Sequence, residues 1–280
     1  MSLLNFNEIA HNSLFDFKVI IKDVDNYLAH LLRDNSEKET LLAHSNLVLK
    51  YAIKLIKDNG LEDNINKIIT STTDNIKIQN DMKIFYLKAV YWHDIGKINE
   101  NFQVDKMSND DFKNIENGIS SKHSILSAYL YLLSCFKYIN KNYENKNDRI
   151  EMISIAIYFS LTLWRHHTGL KSSWKEFLNG SEGVKICNSL YVYTSKLNIE
   201  IDEQMHQVLI LHLKNITFKK DENYYILNKS LFSLLIISDY YATAQFMNYG
   251  NKKELEYKDF GLIDKKFSDK SYKEFYKKQF

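Results

Sequence analysis

A histidine and an aspartate stand next to each other in the segment His93-Asp94-Ile95-Gly96-Lys97, at the end of an apolar stretch. Residues 84–92 before them are mostly apolar and predict a buried helix. A buried imidazole and a buried carboxylate are costly without a partner. A divalent cation satisfies both, because the carboxylate offers hard oxygens that can bridge two ions and the imidazole offers a nitrogen.

The two residues that end this segment extend the hypothesis. Gly96 can end the preceding helix in a left-handed conformation, which would place the pair at a helix end facing a cleft. Lys97 would add a positive charge where an anionic substrate could lie. A His-Asp pair by itself is a weak signal, because a plain surface pair is the more common explanation. The metal hypothesis therefore depends on the other histidines.

Further polar residues lie inside apolar helical segments or at their ends: His44, His123, His166-His167 and Asp239. Each has a structural explanation, as a satisfied core histidine, a surface histidine or a buried acid that accepts a hydrogen bond. His166-His167 is harder to explain in this way, because two adjacent imidazoles repel each other when both are protonated. A metal ion keeps both rings neutral and uses their lone pairs. The remaining histidines are interpreted as structural or surface residues: His11, His30, His206 and His212.

The hydrophobic periodicity predicts an all-α fold with little strand alternation. Residues 25–33 are predicted as a short helix, and Ser36 with Glu39 as a capping box that opens a longer helix ending near Gly60. Residues 98–121 are predicted as a polar loop in which Phe102 is an apolar anchor. Further helices are predicted over 81–94, after Ser120 or Ser121, and over 150–167, 202–213 and 231–246.

The length of 280 residues and the apolar content of 45% allow one substantial core. No repeat or linker divides the chain. We therefore predict a main domain over 36–250, an N-terminal extension over 1–35 packed on it, and a charged tail or connector over 251–280.

The cysteines and the apolar segments indicate the cellular compartment of the protein. Cys135 and Cys187 lie far apart and lack metal-site spacing, which predicts reduced thiols in a reducing compartment. The N-terminus has no basic region and no long apolar region, and no apolar run is long enough to span a bilayer. We therefore expect a soluble, cytoplasmic protein without membrane contacts. The net charge of +2 is too small to predict nucleic-acid binding by itself.

The order of the candidate residues resembles the HD superfamily of metal-dependent phosphohydrolases. Within it, the chain looks most like the HD nuclease domain of the type I CRISPR nuclease–helicase. The likeness rests on the His93-Asp94 motif with Phe102-Gln103 after it, on His166-His167 followed by Thr-Gly-Leu, and on Ser238-Asp239-Tyr240-Tyr241-Ala242. It covers about residues 36–247. It implies an all-α, HD-domain helical bundle with a metal site in a central cleft.

The resemblance also implies two divalent ions with Asp94 bridging them. It assigns the other ligands in two sets: His44, His93 and Asp239 for one ion, and His123, His166 and His167 for the other. Lys97 would contact the scissile phosphate or its leaving group. Many imidazoles and few carboxylates favour Mn²⁺, Co²⁺, Ni²⁺ or Fe²⁺ over Mg²⁺, which prefers oxygen ligands.

The activity implied by the resemblance is endonucleolytic, and also exonucleolytic, hydrolysis of single-stranded DNA in type I CRISPR interference. The partners would be that DNA, a helicase domain or subunit, and the RNA-guided surveillance complex that displaces the strand. Basic and aromatic residues near the motifs are candidates for binding it: Lys97, Arg165, Lys171, Trp92, Trp164, Trp174 and Tyr240. Trp174, in a polar stretch, is the best surface candidate, whereas core packing is the more common role for Trp92 and Trp164.

Two alternatives remain open. A nucleotide or cyclic-dinucleotide phosphohydrolase of the HD type would share the metal chemistry and differ in having a closed, base-reading pocket. A binding or scaffold module would keep the fold and perform no chemistry. Loss of a ligand residue would favour the scaffold, and every residue of the two ligand sets is present in the sequence. Residues 170–213 and the tail are candidates for a protein-contact face.

Overall fold

The computed structural model describes residues 2–11, 16–116, 118–167, 174–198, 203–215 and 222–250. These residues form a mostly helical protein with one two-stranded sheet, which confirms the predicted helical class. None of the described helices combines the length and the apolar character needed to cross a bilayer. The elements are α1 Phe6–Ala10, α2 Phe17–Ile20, β1 Leu28–Leu31, β2 Lys38–Thr40, α3 Leu41–Asp58, α4 Leu61–Thr72, α5 Ile76–Tyr91, α6 Glu100–Met107, α7 Ser124–Asn142, α8 Lys146–Arg165, α9 Trp174–Asn179, α10 Ser181–Asn188, α11 Leu190–Thr194, α12 Glu203–Asn215 and α13 Glu222–Tyr249.

Helix α5 is the centre of the fold and leads directly to the His-Asp pair. Its residues from Ile78 to Tyr91 are buried, because α3, α8 and α13 pack around it. The side chain of Asn75 caps its first turn, and Trp92 lies at its C-terminal end. The chain then enters a 3-10 turn, Ile95–Ile98. The predicted helix 81–94 therefore begins earlier and ends earlier than expected, which leaves His93 and Asp94 just beyond it.

The segment 25–33, predicted as a helix, is instead part of a β-hairpin. Strand β1 pairs antiparallel with β2, and His30 lies opposite Glu39. The polar turn between them includes Asn35 at a positive φ of 56°. Thr40, not Ser36, caps the helix that follows, since its side chain accepts a hydrogen bond from the Ala43 amide. The hairpin crosses the domain boundary suggested at residue 36.

The segment 98–121, predicted as a polar loop, contains helix α6. Asn99 caps this helix, and Phe102 is buried against Leu28 as the expected anchor. The Gln103 side-chain amide donates to the carbonyls of Leu28 and Lys97 at 2.9 and 2.7 Å. The helix was missed because amide side chains, and not an apolar stripe, fix it in place. It joins β1 to the turn that follows the His-Asp pair.

Lys88, in the last turn of α5, is a buried lysine whose charge meets no carboxylate among the described residues. Its ammonium donates to Ser134 Oγ at 2.6 Å and lies 4.3 Å from the centre of the Trp92 ring. Burial lowers the pKa of Lys88. Burying a charge without a counter-charge is costly, and an apolar side chain of similar volume removes that cost.

We expect Lys88→Met to raise the free energy of unfolding by about 1–3 kcal/mol at neutral pH. Folding lowers the pKa of Lys88, so a protonated Lys88 destabilises the folded protein at low and neutral pH. This destabilisation disappears as the pH rises toward the pKa that Lys88 has in the unfolded chain. The gain should therefore shrink in alkali. Urea unfolding at pH 7 and pH 10 measures it, and equal gains at both values would contradict the proposed cost of burial.

Candidate metal centre

The structure brings the predicted ligand residues together from five places in the chain. His44 lies on α3, and His93 and Asp94 follow α5. His123 is the N-cap residue of α7. The others lie at the end of α8 and in the middle of α13: His166, His167 and Asp239.

Asp94 lies between two groups of imidazoles, and each of its carboxylate oxygens faces one of them. Oδ1 lies 3.0 Å from His123 Nε2 and 3.5 Å from His166 Nε2. Oδ2 lies 3.3 Å from His93 Nε2 and 3.5 Å from His44 Nε2. Both oxygens of the Asp94 carboxylate thus contact imidazole nitrogens.

The outer members complete the two groups. Asp239 Oδ1 lies 3.2 Å from His44 Nε2 and 3.6 Å from His93 Nε2. On the other side, His167 Nε2 lies 3.0 Å from His123 Nε2. The ligand atoms of His44, His93 and Asp94 are close enough together to hold a metal ion, and so are those of Asp94, His123, His166 and His167.

Backbone carbonyls fix the protonation of two rings. The Nδ1 atom of His93 lies 2.9 Å from the carbonyl oxygen of Val90, and that of His166 lies 2.6 Å from the carbonyl oxygen of Leu163. Since a carbonyl only accepts, each Nδ1 bears the hydrogen and donates it. The Nε2 lone pair of a neutral ring then points into the cluster, as it does in histidine ligands of metal ions.

Several buried atoms of the cluster lack a hydrogen-bond partner. These atoms are His93 Nε2, His166 Nε2 and Asp94 Oδ1. An unsatisfied buried polar atom is costly and rare, and three that face one another need a common explanation. A divalent ion supplies it, because it accepts lone pairs from nitrogen and oxygen alike. The described residues therefore fit a metal ion.

The two groups differ in their affinity for protons. Burial would lower the pKa of His93, but the carboxylates of Asp94 and Asp239 raise it to about 10. The pKa of His44 is also raised despite its burial, chiefly by Asp239 and Glu39. Burial lowers the pKa of His123 to about 4, although Asp94 opposes the change. In the absence of metal, His93 and His44, which contact Asp239, therefore bind protons more strongly than His123 does.

We expect metal binding to release protons and to weaken as the pH falls. A raised pKa means that His93 holds a proton on Nε2 throughout the neutral range, and an ion can bind this atom only when that proton leaves. Mn²⁺ titration calorimetry in two buffers with different ionisation enthalpies should give different apparent heats near pH 7, and affinity should increase toward pH 9. Identical heats in both buffers would show that these nitrogens are not ligands.

Lys97 does not occupy the position predicted for a phosphate ligand. It is 3% exposed, and its ammonium lies 2.7 Å from Asp94 Oδ2. The same nitrogen lies 3.1 Å from the Ala29 carbonyl oxygen and 3.4 Å from His30 Nε2. An ammonium has three hydrogens, and these acceptors use all of them. Lys97 therefore neutralises Asp94 and is not placed to reach a substrate.

Trp174 was expected on the surface for strand binding, and this expectation is wrong. It is 1% exposed, its indole donates to Ser160 Oγ at 2.9 Å, and its ring packs against Trp164. Helix α9 lies against α12, so the polar stretch around this tryptophan does not leave it in water. Trp92 is also fully buried, as the core-packing alternative predicted.

The other candidate strand-binding residues have mixed outcomes. Arg165 is half-buried, forms an ion pair with Glu176 at 3.1 Å and lies over the ring of Trp164. Tyr240 is exposed beside Asp239. Lys171, residues 168–170 after the doubled histidine, and the tail 251–280 lie outside the described residues.

Gly96 is needed for its size and not for a left-handed conformation. Among the described glycines, the positive φ angles are those of Gly60 and Gly250, so the predicted helix end is wrong. A Cβ atom on Gly96 would lie 2.1 Å from the His123 carbonyl oxygen and 2.7 Å from the Ser127 amide nitrogen. The 3-10 turn therefore packs directly against the start of α7, and this contact places His123 beside Asp94.

The sequence interpretation missed His30 and Glu39, which lie beside the cluster. His30 Nδ1 is 2.7 Å from Glu39 Oε2, and the same oxygen is 3.3 Å from His44 Nδ1. The available signal was the polar turn at 34–36 between two short segments, which is typical of a hairpin.

No protein-family model matches this chain, and no curated protein or solved structure matches it. The class of protein is therefore defined by fold and site alone. It is a mostly helical protein whose buried histidine and aspartate cluster could hold metal ions.

Proposed function

We propose that this protein is a metal-dependent phosphohydrolase of the HD type that cleaves single-stranded DNA. The observation that supports the proposal most is the position of Asp94, whose two oxygens face two separate groups of imidazoles. A structural ion needs one closed set of ligands. A carboxylate shared between two sets is typical of hydrolases that act on phosphate esters through two ions.

Both ligand groups share Asp94, and the other members would divide as follows: His44, His93 and Asp239 in one, and His123, His166 and His167 in the other. When bound, the ions would supply a nucleophilic water near neutral pH and neutralise charge on the phosphate oxygens. Imidazoles outnumber carboxylates, which favours Mn²⁺, Co²⁺, Ni²⁺ or Fe²⁺ over Mg²⁺.

The chain's own residues orient the site and define its open side. His44 and His93 are fully buried, whereas His167 is exposed and Asp239 is partly exposed. A phosphodiester could thus approach past His167 and Asp239, the most exposed members of the two groups. Lys97 contacts Asp94 from the buried side, where no substrate is needed.

Single-stranded DNA is the proposed substrate because of the resemblance in motif order, together with the chemistry of the ligand set. A helicase domain or subunit and an RNA-guided surveillance complex are the proposed partners on the same grounds. Tyr240 could stack on a base, and Arg165 could contact the backbone once Glu176 is displaced.

Degradation of circular single-stranded DNA tests the proposal. The full chain is incubated with Mn²⁺, Co²⁺, Ni²⁺ or Mg²⁺, with EDTA as a control, beside nucleoside triphosphates and cyclic dinucleotides. We expect cleavage of the circle with the transition metals and none with EDTA. Hydrolysis of a small nucleotide with an intact circle would instead assign a nucleotide phosphohydrolase. Metal binding without turnover of any substrate would favour the scaffold alternative.

A further inference from the structure

One carboxylate outside the metal-facing groups lies against the outer side of the cluster. Glu39, on strand β2, is 3% exposed, and its Oε2 atom contacts His30 and His44 through their Nδ1 atoms. The acid is thus buried, with a histidine on either side.

The positions of the hydrogens follow from what each nitrogen faces. His44 Nε2 faces Asp94 and Asp239 in the cluster, and its Nδ1 lies 3.3 Å from Glu39 with no aligned hydrogen-bond partner. If Nε2 is to bind an ion, the one hydrogen of the neutral ring must reside on Nδ1. Glu39 is the carboxylate in contact with that nitrogen, although the hydrogen and Glu39 Oε2 are not aligned.

The second histidine is fixed by Lys97. An ammonium can only donate, so His30 Nε2 must accept from Lys97 at 3.4 Å. The hydrogen of the neutral His30 ring is then on Nδ1, which donates to Glu39 at 2.7 Å. Glu39, His30 and Lys97 form one connected chain of hydrogen bonds that ends on Asp94 Oδ2.

The same assignment excludes a third ion at this place. The side chains of His30, Glu39 and His44 lie close enough to hold a metal. Both nitrogens that face Glu39 bear hydrogens, however, and a protonated nitrogen has no lone pair to offer. A carboxylate that accepts from a ligand histidine is instead the common outer partner of such a ligand, and it sets the ring's orientation and basicity.

We propose that Glu39 is the positioning residue of the metal centre, holding the His44 hydrogen on Nδ1 so that Nε2 is free for an ion. Through His30, it also holds the Lys97 ammonium on Asp94. The inference rests on the proposed function only in assuming that the cluster binds ions. Strands β1 and β2 are thereby given a role: they bring His30 and Glu39 to the closed side of the site.

The test is metal affinity in the Glu39→Gln variant of the full chain. Calorimetric titration with Mn²⁺ should show affinity about 10- to 100-fold weaker at the group containing His44, with a smaller loss at the other group, which shares Asp94. The unfolding temperature of the metal-free protein serves as the second readout. A purely structural Glu39 would lower that temperature and leave the affinity of the folded protein as it was, which would overturn the proposal.

Glu62→Gln is the matched control. Glu62 is a partly buried acid that forms an ion pair with Lys83 at 2.8 Å. Lys83 lies on helix α5, ten residues before His93, which corresponds to about 15 Å along a helix. Its loss should not change metal affinity. A Glu39→Gln variant that binds one ion fewer, with the remaining affinities unchanged, would make Glu39 a ligand and overturn the positioning role.

A second measurement requires no variant at Glu39. In the Zn²⁺-loaded wild-type protein with ¹⁵N-labelled histidine, the His44 ring, assigned by its absence in His44→Asn, should bear its hydrogen on Nδ1. A hydrogen on Nε2 would overturn the proposal.

Failure of the proposed function is separable from failure of the inference. Wild-type protein that binds ions but cleaves no phosphate ester disproves the function alone, and unchanged affinity in Glu39→Gln disproves the inference alone.

Discussion

Asp94→Asn is expected to lower metal-dependent hydrolysis by at least about 1,000-fold, or roughly 4 kcal/mol of transition-state stabilisation. Asp94 is the residue whose oxygens face both imidazole groups, at 3.0–3.5 Å from four Nε2 atoms. The amide keeps the shape of the side chain but offers one neutral oxygen in place of two charged ones. Cleavage of the circular strand and Mn²⁺ affinity measure the effect together.

The same substitution has a cost in stability, which must be separated from the chemistry. Lys97 lies 2.7 Å from Asp94 and is buried, so the variant leaves a buried ammonium without its counter-charge. Breaking a buried pair in this way costs about 3–5 kcal/mol. For the same reason, Asp94→Ala is a poorer test, since it removes every acceptor at this position.

The double variant Asp94→Asn with Lys97→Met separates the two effects. Removing the ammonium as well should restore most of the metal-free stability, while metal binding and hydrolysis remain lost. If the double variant regains hydrolysis along with stability, the single substitution acted through the fold, and the bridging role of Asp94 is wrong.

Gly96→Ala is expected to destabilise the protein by about 3 kcal/mol or more and to weaken the ion site at His123. The added methyl would meet the His123 carbonyl oxygen at 2.1 Å, so the 3-10 turn and the start of α7 must separate. That separation also breaks the bond from the Gly96 amide to Ser127 Oγ, which is 2.8 Å long. His123 would then move away from Asp94. Urea unfolding and Mn²⁺ titration should both show the change.

Gly118→Ala is the comparison for this substitution. A Cβ atom there meets Ile115 Cβ at 3.1 Å and Asn101 Nδ2 at 3.2 Å, contacts that a displacement of a few tenths of an ångström relieves, whereas at Gly96 it would meet a backbone oxygen at 2.1 Å. We expect the Gly118 variant to lose little stability and to bind metal as the wild-type protein does. Equal losses in the two variants would show that the close approach at Gly96 has no special importance for the site.

Both predictions concern the segment that follows helix α5, in which Asp94 faces the imidazoles and Gly96 packs against the start of α7. Helix α5 ends at Tyr91, and the following turn places Asp94 between α3, α7, α8 and α13, the helices that supply or flank the imidazoles. The side chains of His44, His93 and Asp94 are buried there. The rigid setting is what allows weak individual contacts to define two separate groups of ligands.

The sequence by itself determined which residue types could bind metal and that the chain is mostly helical. Both depend on local information. Apolar residues at helical spacing predicted the long helices, and polar residues at the ends of those helices marked His93, Asp94 and His166 as candidates. The structure brought those residues together, including His44 and Asp239, which are 195 positions apart.

Tertiary structure alone decided the surroundings of these residues. Trp174 lies in a polar stretch but is buried under neighbouring helices, and Lys97 follows the motif but points into the interior, where Ala29 and His30 accept its hydrogens. The short strands have too few residues to show a clear alternation, so His30 and Glu39 were not recognised. Exposure and hydrogen-bond partners depend on segments far apart in sequence, and local periodicity contains no information about them.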